Sequence, residues 1–429
     1  MEIPRQISVY QPLTERDGIR LIHFFRFGTQ LHGRLEEVVL SKKPIYHALS
    51  YVWHWRPQAE GGGGGGTKTI YLNGREVEVT ANLAGFIDTI TQIWTPVPAF
   101  WVDAMCINQK DNAEKSSQVR MMGEIYQRAT RIITWLGKHD EGSRTCIKKM
   151  WKWHALALQF KARYPSWDLM KDAYPEWLRE VGVIDGDGCL VDRDIWLYFA
   201  AVFKDRQWWH RVWTVQEFIA DVDKLFLCGD SSFTHHCLYD ALFIAKLVMG
   251  FGELGMGNPE DERLLTDGTR LAMAAENLRN EFYGDPHFRL ILYEVLDRCR
   301  PRSSTDPRDK VFAVLGLVKP ILRAQALLSI DYNLSASEVF TNTAEYMLTT
   351  SGRLTWLGGV FPPSSGTNTP CPSWAPDWSN TETIMTLPCN VKYIPGVTPN
   401  RVSKHTPSSV FFSTHLFLLA QKTISSYLA

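Results

Sequence analysis

The sequence has no surplus of charge of either sign. Its 429 residues include 46 Lys+Arg and 46 Asp+Glu, so the formal net charge is zero. Proteins that bind nucleic acid by bulk charge need an excess of Lys and Arg to neutralise phosphates. Proteins that lie on anionic membranes need a basic face. The balance argues against both kinds of partner, and a hydrophobic fraction of 45% with a charged fraction of 21% is typical of a globular chain.

The sequence also lacks the spacings and apolar runs that mark metal sites, secretion or membrane insertion. Its eight Cys are scattered and no two form a CxxC pair, so neither a zinc site nor a disulfide framework is expected. The first residues show no basic region followed by an apolar stretch, so no secretory signal is predicted. No run of about 18 apolar residues is present, so no membrane span is predicted. We therefore expect a reduced, cytoplasmic protein without a metal.

The sequence is unusual in its number of tryptophans and in a run of consecutive glycines. The chain contains 16 Trp, and each of them has to be buried or used at an interface because it carries a large apolar area with a single donor. Six consecutive glycines occupy residues 61–66. They lack the Lys and Ser/Thr spacing of a phosphate loop, so the run is predicted to be a flexible surface loop.

Residues 46–137 alternate between strand and helix patterns. The predicted strands are residues 46–53, 70–72, 77–79, 100–105 and 132–136, and the predicted helices are residues 83–94 and 111–129. Asn73-Gly74 is a strong hairpin signal. Thr80 or Asn82 is expected to cap the first helix and Asp111 the second. The alternation predicts an α/β sheet with mostly parallel strands, whose ligands lie beyond the carboxyl ends of the strands.

Further along the chain, residues 208–220 are predicted to be a helix and residues 225–228 a strand. Beyond about residue 236 the pattern becomes mainly helical. This last region carries no catalytic pattern.

Three blocks combine tryptophan with polar residues at high density. They are ALSYVW at residues 48–53, WVDAMCINQ at 101–109 with its continuation to residue 137, and WWHRVWTVQE at 208–217. In this order they closely resemble the fungal heterokaryon incompatibility (HET) domain, over about residues 46–220. Two later segments, TDPRDKVF at 305–312 and PSWAPDW at 372–378, are similar to segments that often follow the domain in long fungal members. His54 departs from the family, which usually has Gly at that place.

The resemblance implies a fold and a biological role. The implied fold is a TIR-like parallel sheet flanked by helices, followed by a mainly helical C-terminal region. The implied layout is an N-terminal segment at 1–45, a HET domain at 46–235 and the helical region at 236–429. HET-domain proteins of filamentous fungi take part in non-self recognition, in which fusion of unlike hyphae triggers programmed cell death, a fungal form of innate immunity.

The family is also distantly similar to Toll/interleukin-1 receptor (TIR) domains, some of which cleave NAD. In those domains a Trp precedes a catalytic Glu on a helix, in the pattern W-x-x-x-E. Trp213 and Glu217 have that spacing, and residues 49–51 are similar to the first TIR strand motif. The resemblance implies that Glu217 is catalytic and that NAD is a substrate, with no further cofactor.

The chemistry suits a single carboxylate. Trp213 and Glu217 are four residues apart, and His210 is seven before Glu217, so a continuous helix presents all three on one face. Cleavage of the nicotinamide–ribose bond develops positive charge on the ribose, as in glycoside hydrolysis. A fixed carboxylate stabilises that charge. Cationic nicotinamide is already a good leaving group, so a separate general acid is not required.

The candidate substrate-binding residues are Ser50, Tyr51, Trp53, Asp103, Arg211 and Trp213. Ser50, Tyr51 and Asp103 are expected near strand ends that face one crevice. Three of these candidates also have a structural interpretation: Trp53 as a core residue, Asp103 as the cap of the following turn, and Arg211 as the partner of an internal carboxylate. Glu217 itself has the alternative of a solvated or ion-paired helix residue.

The sequence leaves three functions open. The first is a death effector that consumes NAD through Glu217. The second is a non-enzymatic signalling or scaffold module that acts through protein partners or self-association, for which exposed Trp would suit the interface. The third is a degenerate family member with neither activity, which His54 and the glycine run allow.

Overall fold

The structure is a computed structural model of the chain. It describes residues 9–53, 66–192, 194–253, 259–284, 292–318, 328–351, 371–372 and 374–380. His54 and residues 61–65 of the glycine run lie outside the described residues, so the predictions made for them stay predictions.

The chain divides into two compact units. The first comprises Met1–His210 and Glu217–Gly284, and the second comprises Arg211–Gln216 and Asp285–Ala429. The domain boundaries predicted at residues 46 and 236 follow the family blocks, and they stay predictions.

The first unit is built on one nine-stranded sheet. In chain order its strands are β1 (Gly18–Phe27), β2 (Gln30–Val39), β3 (His47–Tyr51), β4 (Thr67–Leu72), β5 (Arg75–Thr80), β6 (Phe100–Trp101), β7 (Arg131–Trp135), β8 (Lys224–Cys228) and β9 (Ser231–Thr234). Their order in the sheet is β5-β4-β2-β1-β6-β3-β7-β8-β9. The central strands β6, β3, β7 and β8 run parallel, whereas the antiparallel pairs β4–β5 and β8–β9 form the edges. The predicted α/β class is therefore confirmed.

Helices account for most of the remaining described residues. They are α1 (Ala81–Ile93), α2 (Asp103–Cys106), α3 (Asn112–Arg128), α4 (Glu141–Arg163), α5 (Trp167–Glu180), α6 (Ile195–Val202), α7 (Trp213–Ile219), α8 (His235–Glu253), α9 (Pro259–Gly284), α10 (Leu292–Cys299), α11 (Asp309–Leu315) and α12 (Ala336–Ser351). The mainly helical character predicted after residue 236 is confirmed for the described residues. Among all the residues that the structure describes, no helix has both the length and the apolar character that a membrane crossing requires.

Local turn and cap chemistry behaves as predicted. Asn73 and Gly74 adopt positive φ values of 51° and 77° between β4 and β5, the conformation that a tight hairpin requires. The Thr80 side chain accepts a hydrogen bond from the backbone at the start of α1. The Asp111 side chain accepts two in the first turn of α3. Side-chain caps of this kind satisfy helix N–H groups that have no partner inside the helix.

The helices α1 and α3 cover opposite faces of the sheet. Adjacent residues of a strand point to opposite faces. In β6, the Phe100 ring packs against Phe86 of α1 at a centroid distance of 5.4 Å, and the next residue, Trp101, packs against Tyr126 of α3 at 5.4 Å. Trp101 and Trp135 are 0% and 1% exposed, so both rings lie in the core.

Two predicted elements differ from the structure. The strand predicted at 100–105 ends at Trp101, because Asp103 begins the short helix α2 and its carboxylate accepts the N–H of Ala104 at 2.7 Å. The helix predicted at 208–220 is interrupted. Residues 207–210 form a 3-10 turn, and Val212 N–H donates to the carbonyl of Ser303 at 2.9 Å before α7 begins. The prediction that His210 shares a helical face with Glu217 is therefore wrong.

Candidate functional site

Ser50 and Glu217 meet in the interior of the first unit. Ser50 lies in β3, one residue before its carboxyl end, and Glu217 lies in α7. The Ser50 hydroxyl donates a hydrogen bond to Oε2 of Glu217. The two residues are 1% and 4% exposed, so the contact is largely shielded from water, where a charge-assisted hydrogen bond is strong. The structure therefore joins the first and third sequence blocks through a hydroxyl and a carboxylate.

Trp208 adds a third member to this contact. Its indole Nε1–H donates to the Ser50 Oγ at 2.7 Å. The ring is 1% exposed and packs edge-on against Trp209 and Phe226, at centroid distances of 4.7 and 5.9 Å. Trp208 lies in the third sequence block, which indicates no role for it, because only the tertiary structure brings it to Ser50, 158 positions away.

Trp53 and Asp103 form a second pair, at the carboxyl ends of the adjacent strands β3 and β6. The Trp53 indole Nε1–H donates to both Asp103 carboxylate oxygens, at 3.1 and 3.0 Å. Asp103 also accepts the N–H of Ala104, so its interpretation as the cap of the following turn is confirmed. Trp53 is only partly buried, so its placement as a core residue holds in part, and its indole is oriented by Asp103.

The other predicted binding residues are placed differently. Tyr51 is 3% exposed, and in the sheet it is the partner of Trp135. Arg211 and Trp213 are grouped with the second unit, where Arg211 forms a backbone bridge with Ser303. The substrate-binding roles of these residues stay predictions.

Helices on both faces hold the carboxyl end of β3. The Asn82 side chain of α1 donates to the carbonyl of Val52 at 2.7 Å and accepts the indole N–H of Trp135 at 2.8 Å. Asn82 was one of two predicted helix caps, and Thr80 is the one that caps. From α3, the Tyr126 hydroxyl donates to the carbonyl of Leu49 at 3.1 Å. The strand end that carries Ser50 is therefore fixed from α1 and from α3.

A buried ion pair organises the second block. The Arg20 guanidinium of β1, in a residue 4% exposed, donates to both carboxylate oxygens of Glu114, at 2.6 and 2.9 Å. It also donates to the carbonyls of Cys106 and Gln11, at 2.9 and 2.6 Å. Glu114 accepts the N–H of Asn108 at 2.7 Å. Glu114 is therefore the anchor of the loop between α2 and α3.

Arg206 fixes the turn that carries Trp208. Its side chain is 3% exposed and donates to the carbonyls of Leu136 and Lys138, at 3.2 and 2.8 Å. It also pairs with the Asp140 carboxylate at 2.8 Å. Because these partners follow β7, the guanidinium ties the chain just before Trp208 to the carboxyl edge of the parallel strands. No sequence signal pointed to this role.

Metal binding has no support among the described residues, where no group of three or more His, Cys, Asp or Glu side chains could hold an ion. A surface pocket of about 470 Å³ lies at the turn between β1 and β2 and along β4. None of the predicted site residues lines this pocket. The Ser50–Glu217 contact is a separate and closed feature.

A comparison with protein families finds a model that matches part of the chain. The family model described as "Heterokaryon incompatibility protein (HET)" matches residues 46–217. The match contains all three sequence blocks and ends at Glu217. Residues 46–217 are therefore similar to the HET domain.

The chain is also similar to an individual curated protein. The chain is similar to "Heterokaryon incompatibility protein 6, OR allele" of Neurospora crassa, with 25% identity over 402 residues. The alignment covers 79% of this chain and 54% of the Neurospora protein, so the chain spans about half the length of the curated relative. No solved structure matches the chain.

Proposed function

We propose that the protein is an effector of fungal non-self recognition that promotes programmed cell death by cleaving NAD with Glu217. The similarity of residues 46–217 to the HET domain and the similarity of the chain to a heterokaryon incompatibility protein support the biological part. The observation that carries the chemical part is the buried contact between Ser50 and Glu217, which unites the first and third blocks.

The surroundings of Glu217 suit a reaction that develops positive charge. The carboxylate lies beside Ser50, whose other contact is the indole of Trp208, and the neighbouring Phe218 packs in the same aromatic cluster. A fixed anion in a dry site stabilises a developing cation far more than it would in water. In the proposed step the C–N bond breaks, and its electron pair leaves with nicotinamide and neutralises the ring. Water then adds to the ribose carbon and loses a proton, which yields nicotinamide and ADP-ribose.

The described state is the resting form in this proposal. Glu217 is 4% exposed, so a ribose can reach its carboxylate only after the surrounding chain shifts, while Oε2 keeps its contact with Ser50. Such a shift is a conformational step of the kind that controls many enzymes. The isolated protein is therefore expected to be nearly inactive and to gain activity when it is forced to assemble.

Nicotinamide release tests this function. The chain is fused to a dimerising domain, incubated with NAD and compared with Glu217→Gln, which keeps the size of the side chain and removes its charge. We expect release to fall about 10²- to 10³-fold, the range seen when a transition-state-stabilising group is removed. The matched control is Glu124→Gln on α3, a half-exposed residue paired with Arg128, and it should leave release unchanged. Equal release by the assembled wild type and by Glu217→Gln would rule out the NAD part.

A second candidate is a module that acts by assembly alone. The observation in its favour is the exposed apolar surface of α4, where Trp151 and Leu158 are 41% and 52% exposed. Aromatic side chains of this kind are favoured at interfaces. This function predicts that Glu217→Gln still kills cells on overexpression while Trp151→Ala does not. The opposite pattern would favour catalysis.

A further inference from the structure

We propose that Trp208 is a positioning residue that aims Glu217 by fixing the direction of the Ser50 hydroxyl. This inference rests on the proposed function, since it assigns a role to Trp208 in the same site. Trp208 touches neither the reacting bond nor Glu217 in this scheme. It acts through Ser50 alone.

The direction of the two hydrogen bonds follows from donor chemistry. An indole N–H can only donate, and a serine hydroxyl has one proton to donate and two lone pairs that accept. Because Trp208 donates to the Ser50 Oγ at 2.7 Å, one lone pair of Ser50 is occupied. The single proton of Ser50 is then directed to Oε2 of Glu217. The hydrogen bonds run in one direction, from Trp208 through Ser50 to Oε2 of Glu217.

The packing keeps the indole in place. Trp208 is 1% exposed, and its ring is held edge-on by Trp209 and Phe226 and borders Phe218. A buried aromatic ring in such a cluster has few accessible rotamers. The N–H of Trp208 is therefore a fixed reference point for Ser50, whose hydroxyl would otherwise rotate freely about its C–O bond.

The chain offers a matched control one residue away. Trp209 is also fully buried and lies in the same 3-10 turn, but its indole N–H donates to the backbone carbonyl of Val202 at 3.0 Å. Trp208→Phe and Trp209→Phe therefore make the same change in volume and each remove one buried indole donor. Only Trp208→Phe removes a donor to Ser50.

The kinetic test compares these two variants in the dimerised full chain. With Trp208→Phe we expect kcat for nicotinamide release to fall about tenfold while KM changes less than about twofold, since the lost contact aims a catalytic group and binds no substrate. Trp209→Phe should retain most of the wild-type kcat at equal fractions of folded protein. Equal losses in kcat for the two variants would overturn the proposal, because they would reduce Trp208 to a packing residue.

A double-mutant cycle tests whether Trp208 acts by orienting the Ser50 hydroxyl or only by packing. If Trp208 acts only through Ser50, then Trp208→Phe lowers kcat in the wild type but has no further effect in a Ser50→Ala background. Additive losses would overturn the proposal.

An NMR measurement keeps failure of this inference distinct from failure of the proposed function. In the full chain labelled with ¹⁵N-tryptophan, Ser50→Ala should move the indole resonance of Trp208 and leave that of Trp209 in place. An unmoved Trp208 resonance would overturn the hydrogen-bond chain even if Glu217 proves catalytic. If the resonance moves but no protein releases nicotinamide, the hydrogen bonds stand and both the catalytic role of Glu217 and the positioning role of Trp208 are refuted.

Discussion

The ion pair between Arg20 and Glu114 provides the sharpest prediction about stability. Glu114→Ala removes the acceptor of two guanidinium hydrogen bonds and of the Asn108 N–H. It leaves the Arg20 charge inside the first unit, with only the backbone carbonyls of Cys106 and Gln11 as remaining acceptors among these contacts. An ionised group that loses its partner in the interior is strongly destabilising.

The magnitude follows from burial. The side chains of Arg20 and Glu114 are 5% and 11% exposed, and removal of one partner from such a pair reduces the free energy of unfolding by about 3–5 kcal/mol. The pair of Glu124 and Arg128 lies on the same helix α3 but is 52% and 38% exposed. Removal of Glu124 is expected to change the free energy of unfolding by only about 0.3–0.5 kcal/mol.

Urea unfolding followed by tryptophan fluorescence measures both values, because Trp101 is buried and packs against Tyr126 of α3. Comparison of Glu114→Ala with Glu124→Ala holds the chemical change and the helix constant. A third variant, Arg20→Met with Glu114→Leu, removes both charges and should recover much of the lost stability. The stabilising role of the buried Arg20–Glu114 pair is refuted if Glu114→Ala is no more destabilising than Glu124→Ala, or if the double variant is less stable than Glu114→Ala.

Two further predictions concern backbone strain and pH. Gly229 has φ +57° and an added Cβ would clash with the ring and the backbone nitrogen of His139, whereas Gly28 has φ +59° and open space. We expect Gly229→Ala to lower the unfolding midpoint clearly more than Gly28→Ala, whose penalty is about 1–2 kcal/mol; equal shifts would contradict the steric argument. Burial lowers the pKa of His235 below its ordinary value of 6.5, so the unfolded chain takes up that proton first and stability is lost as pH falls through about 6.5. His235→Gln should flatten this loss in urea titrations at several pH values, and exposed His236→Gln should not.

Features governed by near neighbours were predictable from the sequence. The Asn73-Gly74 turn and the caps at Thr80 and Asp111 form as expected, because positive φ tolerance and side-chain capping act within a few residues. The parallel arrangement of β3, β6 and β7 also follows from the alternation of strands and helices.

Features governed by distant neighbours were not predictable from the sequence. The helix predicted at residues 208–220 is interrupted because Val212 pairs with Ser303. The helical periodicity of the sequence does not indicate that partner. Likewise, β1 and β2 complete the sheet although no family block covers them. Long-range pairings of this kind depend on which surfaces meet in the folded chain.

By itself, the sequence indicated the similarity to the HET domain and the candidate carboxylate, because three blocks of unusual composition can be recognised without knowledge of any contact. The spacing of Trp213 and Glu217 drew attention to Glu217, and both residues lie in α7, but His210 lies outside that helix. Only the tertiary structure decided that Glu217 is buried and that it meets Ser50, 167 positions away. It also decided that the Trp208 indole donates to the same Ser50 hydroxyl. The physical reason is that burial and hydrogen-bond geometry belong to the packed interior, where residues far apart in the chain exclude water together.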